Sequence, residues 1–277
     1  MALRVCSPFA HRPHGHHPQT MKELGPDQRL EPFLSRLATT QPRLLALDYD
    51  GTLAPFAPDR KDAALYPGVA PLLKELMLRG TEIAFITGRS ALELAQRLPL
   101  SGIEIFGAHG HEYLGPTGTL ERMPLTHTVQ AGLAHLANLI KKAGFKTTIE
   151  HKHGTVAIHW RKETPDTQYT LEQLAHKLSC TLPDTIQALP FDGGFEFRAR
   201  GYDKGTALTR LLAHHPGAVV AYLGDDTTDE DAFAALPPTG LGVLVRSELR
   251  ETRAQLWIRP PEELRQFLAL WGAITHP

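Results

Sequence analysis

Apolar residues recur along the chain in two rhythms. Continuous runs at 44–47, 81–86, 103–106, 218–223 and 242–245 are short and end in turn residues, so they read as strands buried on both faces of a parallel sheet. Between them the spacing is helical: Leu30, Phe33, Leu34 and Leu37; then Val69, Leu72, Leu73 and Leu76 within 68–79, stopped by Gly80; then 91–98, 204–212 and 261–271. Strand and helix alternate, which predicts an α/β core from residues 21–110 and 200–277.

Residues 111–199 break that alternation. A helix over 126–143 precedes strands at 145–150 and 155–160; Thr164 and Pro165 then open a second helix, followed by strands at 185–189 and 195–198. The order α-β-β-α-β-β predicts an antiparallel sheet with two helices on one face, an inserted α+β cap. Val156, Ile158 and Trp160 alternate with His159 and Arg161, and Phe195 and Phe197 with Glu196 and Arg198. The face without helices is therefore polar, either as plain solvated surface or, opposite a catalytic edge, as a site for a polyhydroxylated anion.

The chemistry concentrates where apolar runs stop. Leu44 to Leu47 give way to Asp48-Tyr49-Asp50-Gly51-Thr52, and Gly51 lets the chain turn so that both carboxylates converge beyond the sheet. Two close carboxylates repel unless a cation lies between them, and a hard ion such as Mg²⁺ suits an all-oxygen site; taken alone the pair also fits a turn and helix cap. The second strand ends in Thr87-Gly88-Arg89-Ser90, where Thr87 offers a hydroxyl and an N–H to an anion at a helix start. The third ends in Gly107-Ala108-His109-Gly110. Lys204 opens a later helix, and the strand at 218–223 ends in Gly224-Asp225-Asp226-Thr227-Thr228-Asp229, acids that helix capping explains only in part.

Composition narrows the classes. The 277 residues carry a formal net charge of −1 and no long basic run, against a nucleic-acid binder. Cys6 and Cys180 are too few for a disulfide scaffold, and no apolar stretch approaches a membrane span, so a cytoplasmic location is the default expectation. Residues 1–20, with His11, His14, His16 and His17 among prolines, are expected to be a disordered leader, with Met21 as an alternative start and imidazole metal binding as an alternative role.

In chain order Asp48-x-Asp50, Thr87, Lys204 and Asp225-Asp226 resemble the four motifs of the haloacid dehalogenase superfamily. Closer still, Thr87-Gly-Arg89, Gly107-Ala-His109-Gly110, Glu150-His-Lys152, His159-Trp-Arg161, Glu196-Phe-Arg198 and the stretch 224–233 resemble the trehalose-6-phosphate phosphatase family. The resemblance implies a Rossmann-like core with an inserted cap. It implies Asp48 as nucleophile, Asp50 as general acid and base, and Thr87 and Lys204 on the phosphoryl group. Mg²⁺ would be held by Asp48, Asp50 and Asp225 with Asp226 and Asp229. Arg89, His109, Lys152, His159, Arg161, Glu196 and Arg198 would bind the sugar phosphate. It further implies a monomer acting on trehalose 6-phosphate, linked by pathway logic to a trehalose-6-phosphate synthase, with no nucleic-acid or membrane partner. A phosphatase of another phosphosugar, a phosphomutase and a non-catalytic sugar-phosphate sensor are the rival readings.

Overall fold

A computed structural model describes residues 21–57, 62–191 and 193–275. The leader at 1–20 lies outside them. The first half of the core comprises β1 (Lys22–Glu23), α1 (Leu30–Thr39), β2 (Arg43–Leu47), α2 (Val69–Leu78), β3 (Thr81–Ile86), α3 (Ala91–Ala95), β4 (Glu104–Gly107), β5 (Glu112–Leu114) and β6 (Leu120–Arg122). The middle of the chain follows as α4 (His127–Lys142), β7 (Ile149–Lys152), β8 (Thr155–His159), α5 (Pro165–Ser179), β9 (Ile186–Phe191) and β10 (Gly194–Ala199). The remainder is α6 (Lys204–His214), β11 (Val219–Gly224), α7 (Glu230–Ala235), β12 (Leu241–Val245), β13 (Leu256–Ile258) and α8 (Glu262–Ile274).

Among the described residues two sheets form. The larger has the order β1-β13-β12-β11-β2-β3-β4-β5-β6. Its six central strands, β13 to β4, are parallel, while β1, β5 and β6 join antiparallel at the edges. Period-2 alternation explains the continuous apolar runs. Leu45 and Leu47 face Phe33, Leu73, Phe267 and Trp271 of α1, α2 and α8, while Leu44 and Ala46 face Leu208, Leu211 and Phe233 of α6 and α7. A sheet covered on both sides leaves only its ends to solvent, and the carboxyl ends of β2, β3, β4 and β11 share one edge.

The smaller sheet, β7-β8-β10-β9, is antiparallel throughout. Val156, Ile158, Phe195 and Phe197 pack on Val129, Leu136, Ile140 and Leu171, so α4 and α5 cover one face as the alternation predicts.

The structure differs from the sequence pattern at the start of the middle segment. Residues 112–122 form β5 and β6 and extend the larger sheet, whereas the pattern placed everything from 111 in the cap. Two three-residue strands joined by a turn are too short to show a period. The strand expected at 145–150 also begins late, at Ile149, because Lys146–Thr148 winds into a single 3-10 turn after Gly144. Among the described residues no helix is long and apolar enough to cross a membrane.

Candidate active site

The site is built at the carboxyl end of β2. Asp48 extends the strand by donating its N–H to Leu223 O at 2.9 Å, which fixes its backbone against β11. The chain then folds back at Gly51, whose φ of +85° and lack of Cβ are both required: a methyl there would sit 2.2 Å from Asp225 Oδ2. Thr52, wholly buried, donates one hydroxyl between two carboxylates, at 3.3 Å from Asp48 Oδ2 and 3.1 Å from Asp225 Oδ1.

Lys204 enters from the opposite side on the first turn of α6. Asp203 caps that helix, its side chain accepting from Thr206 N–H while Thr206 Oγ1 accepts from Asp203 N–H. The buried Lys204 Nζ lies 2.9 Å from Asp48 Oδ1 and 2.7 Å from Asp229 Oδ1. Asp229 is saturated: Oδ1 also accepts from Tyr222 OH, and Oδ2 accepts from the N–H groups of Asp225 and Asp226 at 3.0 and 2.9 Å. Gly224 makes room for it, since a Cβ there would lie 2.3 Å from Asp229 Cγ.

Charge is poorly compensated in this pocket. Burial pushes Asp48 up to about 7, against the pull of Lys204 and with further push from Asp229. Asp225 is driven well above its usual range by burial and then by Asp48 and Asp229. Burial alone would lower Lys204; Asp229 and Asp48 outweigh it and raise the ammonium's pKa. Carboxylate oxygens of Asp48, Asp225 and Asp229 all lie within 4.8 Å of one another. An all-oxygen, net-negative, buried cluster suits a hard divalent cation. Because Asp229 already accepts four hydrogen bonds, Asp48 and Asp225 carry the lone pairs a cation would use. Asp226 is turned outward, its carboxylate capping Thr227 N–H at 2.7 Å, and does not join the cluster.

Asp50 points elsewhere. Arg89 holds it in a two-pronged ion pair, Nε to Oδ2 at 2.7 Å and Nη2 to Oδ1 at 2.6 Å, and its remaining nitrogen binds Glu93 Oε1 at 2.7 Å. Arg89 is fully buried, with Tyr49 beneath its guanidinium. It is therefore placed to orient Asp50, a contact that the expected role on the sugar phosphate does not include. Thr87 is also buried; its N–H is spent on Phe106 O, and its hydroxyl accepts from Arg89 N–H at 3.1 Å. Only the hydroxyl proton remains for an anion, where both groups had been expected to serve.

The polar face of the smaller sheet rests over this edge. Lys152 Nζ donates to Gly88 O at 2.8 Å and lies 3.3 Å from Glu196, which in turn lies 3.3 Å from His109 Nε2. His109 and its neighbour Ala108 both have positive φ, +55° and +47°, uncommon for residues with a Cβ and a mark of a functional loop. His159 pairs with Glu150 at 2.8 Å, Arg198 is buried 3.9 Å from Glu196, and Arg161 lies over the ring of Phe56.

The protein-family model described as Trehalose-phosphatase matches residues 46–256. The chain belongs to that family. It is 33% identical over 232 residues to a trehalose-phosphate phosphatase of Mycobacterium tuberculosis, covering 76% of this chain and 55% of that one. It is 29% identical over 244 residues to the probable trehalose-phosphate phosphatase C of Arabidopsis thaliana, covering 81% and 75%. The chain thus spans about half the length of the mycobacterial relative. Among solved structures it resembles the C-terminal domain of the Candida albicans trehalose-6-phosphate phosphatase, with a TM-score of 0.72 at 21% identity, covering 88% of this chain and 95% of that one. It also shares the fold of a haloacid dehalogenase-like hydrolase from B. subtilis, TM-score 0.59, over 82% and 99% of the two chains.

Within this chain several supporting residues escape a linear reading. Thr52 stands in the first motif but carries no charge to single it out. Tyr222 looks like one more apolar strand residue, and Glu93 like a helix-surface acid. Arg250, which donates to the carbonyls of Asp225 and Asp226 and holds Glu230, lies far along the chain; its only sequence signal is an arginine in a loop after β12.

Proposed function

We propose that the chain is a Mg²⁺-dependent phosphatase that hydrolyses trehalose 6-phosphate to trehalose and phosphate through an aspartyl-phosphate on Asp48. One observation carries the reading: a buried carboxylate at a strand end, Asp48, sits between Lys204 and Asp225 with a second acid, Asp50, two residues away. Asp48 and Asp225, with the Asp50 carbonyl, would hold the ion, and the ion would neutralise charge between carboxylate and phosphoryl oxygens. Asp229 serves as the anchor of Lys204, and Asp226 as a loop cap.

Asp50 first gives up one prong of the Arg89 ion pair and takes a proton from water as substrate enters; Asp48 then attacks phosphorus, the bond to the sugar oxygen breaks, and Asp50 gives that proton to the leaving oxygen. A water then attacks the acyl phosphate, yields a proton to Asp50, and Asp48 is released with inorganic phosphate. Lys204 and the Thr87 hydroxyl meet the phosphoryl oxygens, and Arg89 keeps Asp50 aimed. The second sheet with α4 and α5 acts as a cap that covers the reaction from water, with Lys152, Glu196, His109 and His159 recognising the sugar. We place the protein in the cytoplasm as a monomer whose substrate a trehalose-6-phosphate synthase supplies.

The test is phosphate release from trehalose 6-phosphate beside glucose 6-phosphate and sucrose 6-phosphate, with and without Mg²⁺, for wild type and Asp48→Asn. A Mg²⁺-dependent preference for trehalose 6-phosphate, lost in Asp48→Asn, supports the whole reading. Preference for another phosphosugar removes the substrate and leaves the chemistry; no release from any removes both.

A further inference from the structure

We propose that Arg250, locked in place by Glu230, is a positioning residue that holds the backbone at Asp225 and Asp226 and so makes the edge prefer a small divalent cation over a large one. The proposal rests on the cation site of the phosphatase reading above. Neither residue touches substrate or ion.

The chain at Asp225 and Asp226 is held through both kinds of backbone group. Its two N–H groups converge on Asp229 Oδ2, at 3.0 and 2.9 Å. Its two carbonyls go to arginines from the loop after β12. Arg250 Nη2 donates to Asp226 O at 2.7 Å and Arg250 Nε to Asp225 O at 3.3 Å, while Arg246 Nη1 reaches Asp225 O at 3.4 Å. A planar fork laid across two successive carbonyls fixes the tilt of the peptide between them as well as its place.

Glu230 is what keeps the fork there. It follows Asp229 directly and opens α7, with Oε1 accepting from Arg250 Nη1 at 2.5 Å and from Thr252 Oγ1 at 2.8 Å, and Oε2 accepting from Arg253 N–H at 2.8 Å. The pair is largely buried. The loop is tied at its ends too, by Arg246 N–H to Ile258 O at 3.0 Å and Trp257 Nε1 to Arg246 O at 2.8 Å. Neighbouring acids thus divide the work: Asp229 takes Lys204 and the N–H groups, and Glu230 takes the arginine that holds the carbonyls. An ion pair serving only to staple the loop would not need two of its guanidinium nitrogens on the backbone of the active edge.

The consequence falls on the Asp225 carboxylate. Thr52 fixes its Oδ1 at 3.1 Å, and Gly51 passes so close that a methyl there would strike Oδ2. With the backbone braced as well, the carboxylate has little room to shift. Mg²⁺ demands near-ideal octahedral geometry at about 2.0–2.1 Å, whereas Ca²⁺ accepts a looser shell at about 2.3–2.6 Å. Loosening the brace therefore costs the smaller ion more. Arg43 supplies the comparison, because its guanidinium also binds two backbone carbonyls, those of Leu37 and Ala38, but at the opposite end of the sheet.

The experiment is calorimetric titration of the full chain with Mg²⁺ and with Ca²⁺ at pH 8, alongside melting temperatures, for wild type, Arg250→Ala, Arg250→Lys, Glu230→Gln and Arg43→Ala. Mg²⁺ affinity is expected to fall about tenfold in Arg250→Ala and Ca²⁺ affinity less than about threefold. Arg250→Lys keeps the charge and loses the fork, so it should follow the alanine variant, and Glu230→Gln should fall between that variant and wild type. Arg43→Ala should melt lower with its ion preference kept. If Arg250→Ala does not fold, the lysine and glutamine variants carry the same comparison. Equal losses for both ions, unchanged affinities, a lysine variant with wild-type preference, or the same change of preference in Arg43→Ala overturns the brace and leaves the phosphatase reading intact. If wild type binds Mg²⁺ but releases phosphate from no phosphosugar, the phosphatase reading fails and the same titrations still decide the brace; wild type that binds neither ion overturns the brace and the cation site together.

Discussion

Asp229 shows how one carboxylate organises a site without doing its chemistry. Lys204 and Tyr222 share one oxygen and two backbone N–H groups share the other. Asp229→Ala leaves the buried Lys204 ammonium with Asp48 alone and strands a buried hydroxyl and two amides, so it should cost about 3–5 kcal/mol in denaturant unfolding and abolish turnover. Tyr222→Phe removes a single donor and should cost only about 1 kcal/mol by the same measurement. Gly51→Ala combines a positive φ with a methyl driven into Asp225, and the expected outcome is a lower melting temperature together with loss of Mg²⁺ affinity in calorimetry. At this scale the sequence separates types but not roles. Asp225, Asp226 and Asp229 look alike in a row of acids; only the turn they build sends Asp225 to the Thr52 hydroxyl beside Asp48, Asp226 outward as a cap and Asp229 to Lys204. The position of Arg89 is hidden for a related reason: nothing in Thr-Gly-Arg reveals that the arginine folds under the loop toward Asp50.

Helix α6 links the two ends of the sheet. Lys204 begins it at the active edge, and His214 ends it at the far side, where Glu104 of β4 accepts from His214 Nδ1, His215 Nε2 and Tyr113 OH. Burial would raise the pKa of Glu104, but these three hydrogen bonds outweigh it and lower the value. A depressed folded pKa contributes stability above the unfolded value of 4.5 and loses it as pH falls further. Glu104→Gln should therefore melt lower than wild type near neutrality, and the gap should close below about pH 4.5 in a thermal series. The elements themselves were largely legible. Runs such as Leu44 to Leu47 and Val219 to Leu223 stand out because both faces are covered, and α4 and α5 carry caps at Thr126 and Thr164. The short strands β1, β5, β6 and β13 were not, since two or three residues hold no period, and β1 finds its partner β13 at the far end of the chain.

For the molecule as a whole, the fold holds the negative charge of its active edge at a cost to stability, and the cation and pH decide how large that cost is. Asp48 and Asp225 ionise near 3.8 in an unfolded chain, while in the folded one Asp48 keeps its proton to about 7 and Asp225 is raised as well. As pH rises above about 4 the unfolded state therefore releases protons that the folded state retains, and stability from this pair falls; the share due to Asp48 is complete above about 7. A divalent ion binds the ionised pair and stabilises only the folded state, so its effect must grow as those protons leave. Millimolar Mg²⁺ should accordingly raise the melting temperature clearly at pH 8 and little at pH 5. Asp225→Asn supplies the control, because its amide oxygen still accepts from Thr52 while the buried charge is gone. Without Mg²⁺ this variant should melt above wild type at pH 8, and it should show no Mg²⁺ shift at either pH. A wild-type shift equal at both pH values, or an Asp225→Asn protein that melts lower than wild type without Mg²⁺, would mean that Lys204 alone balances the cluster and that the edge is no cation site.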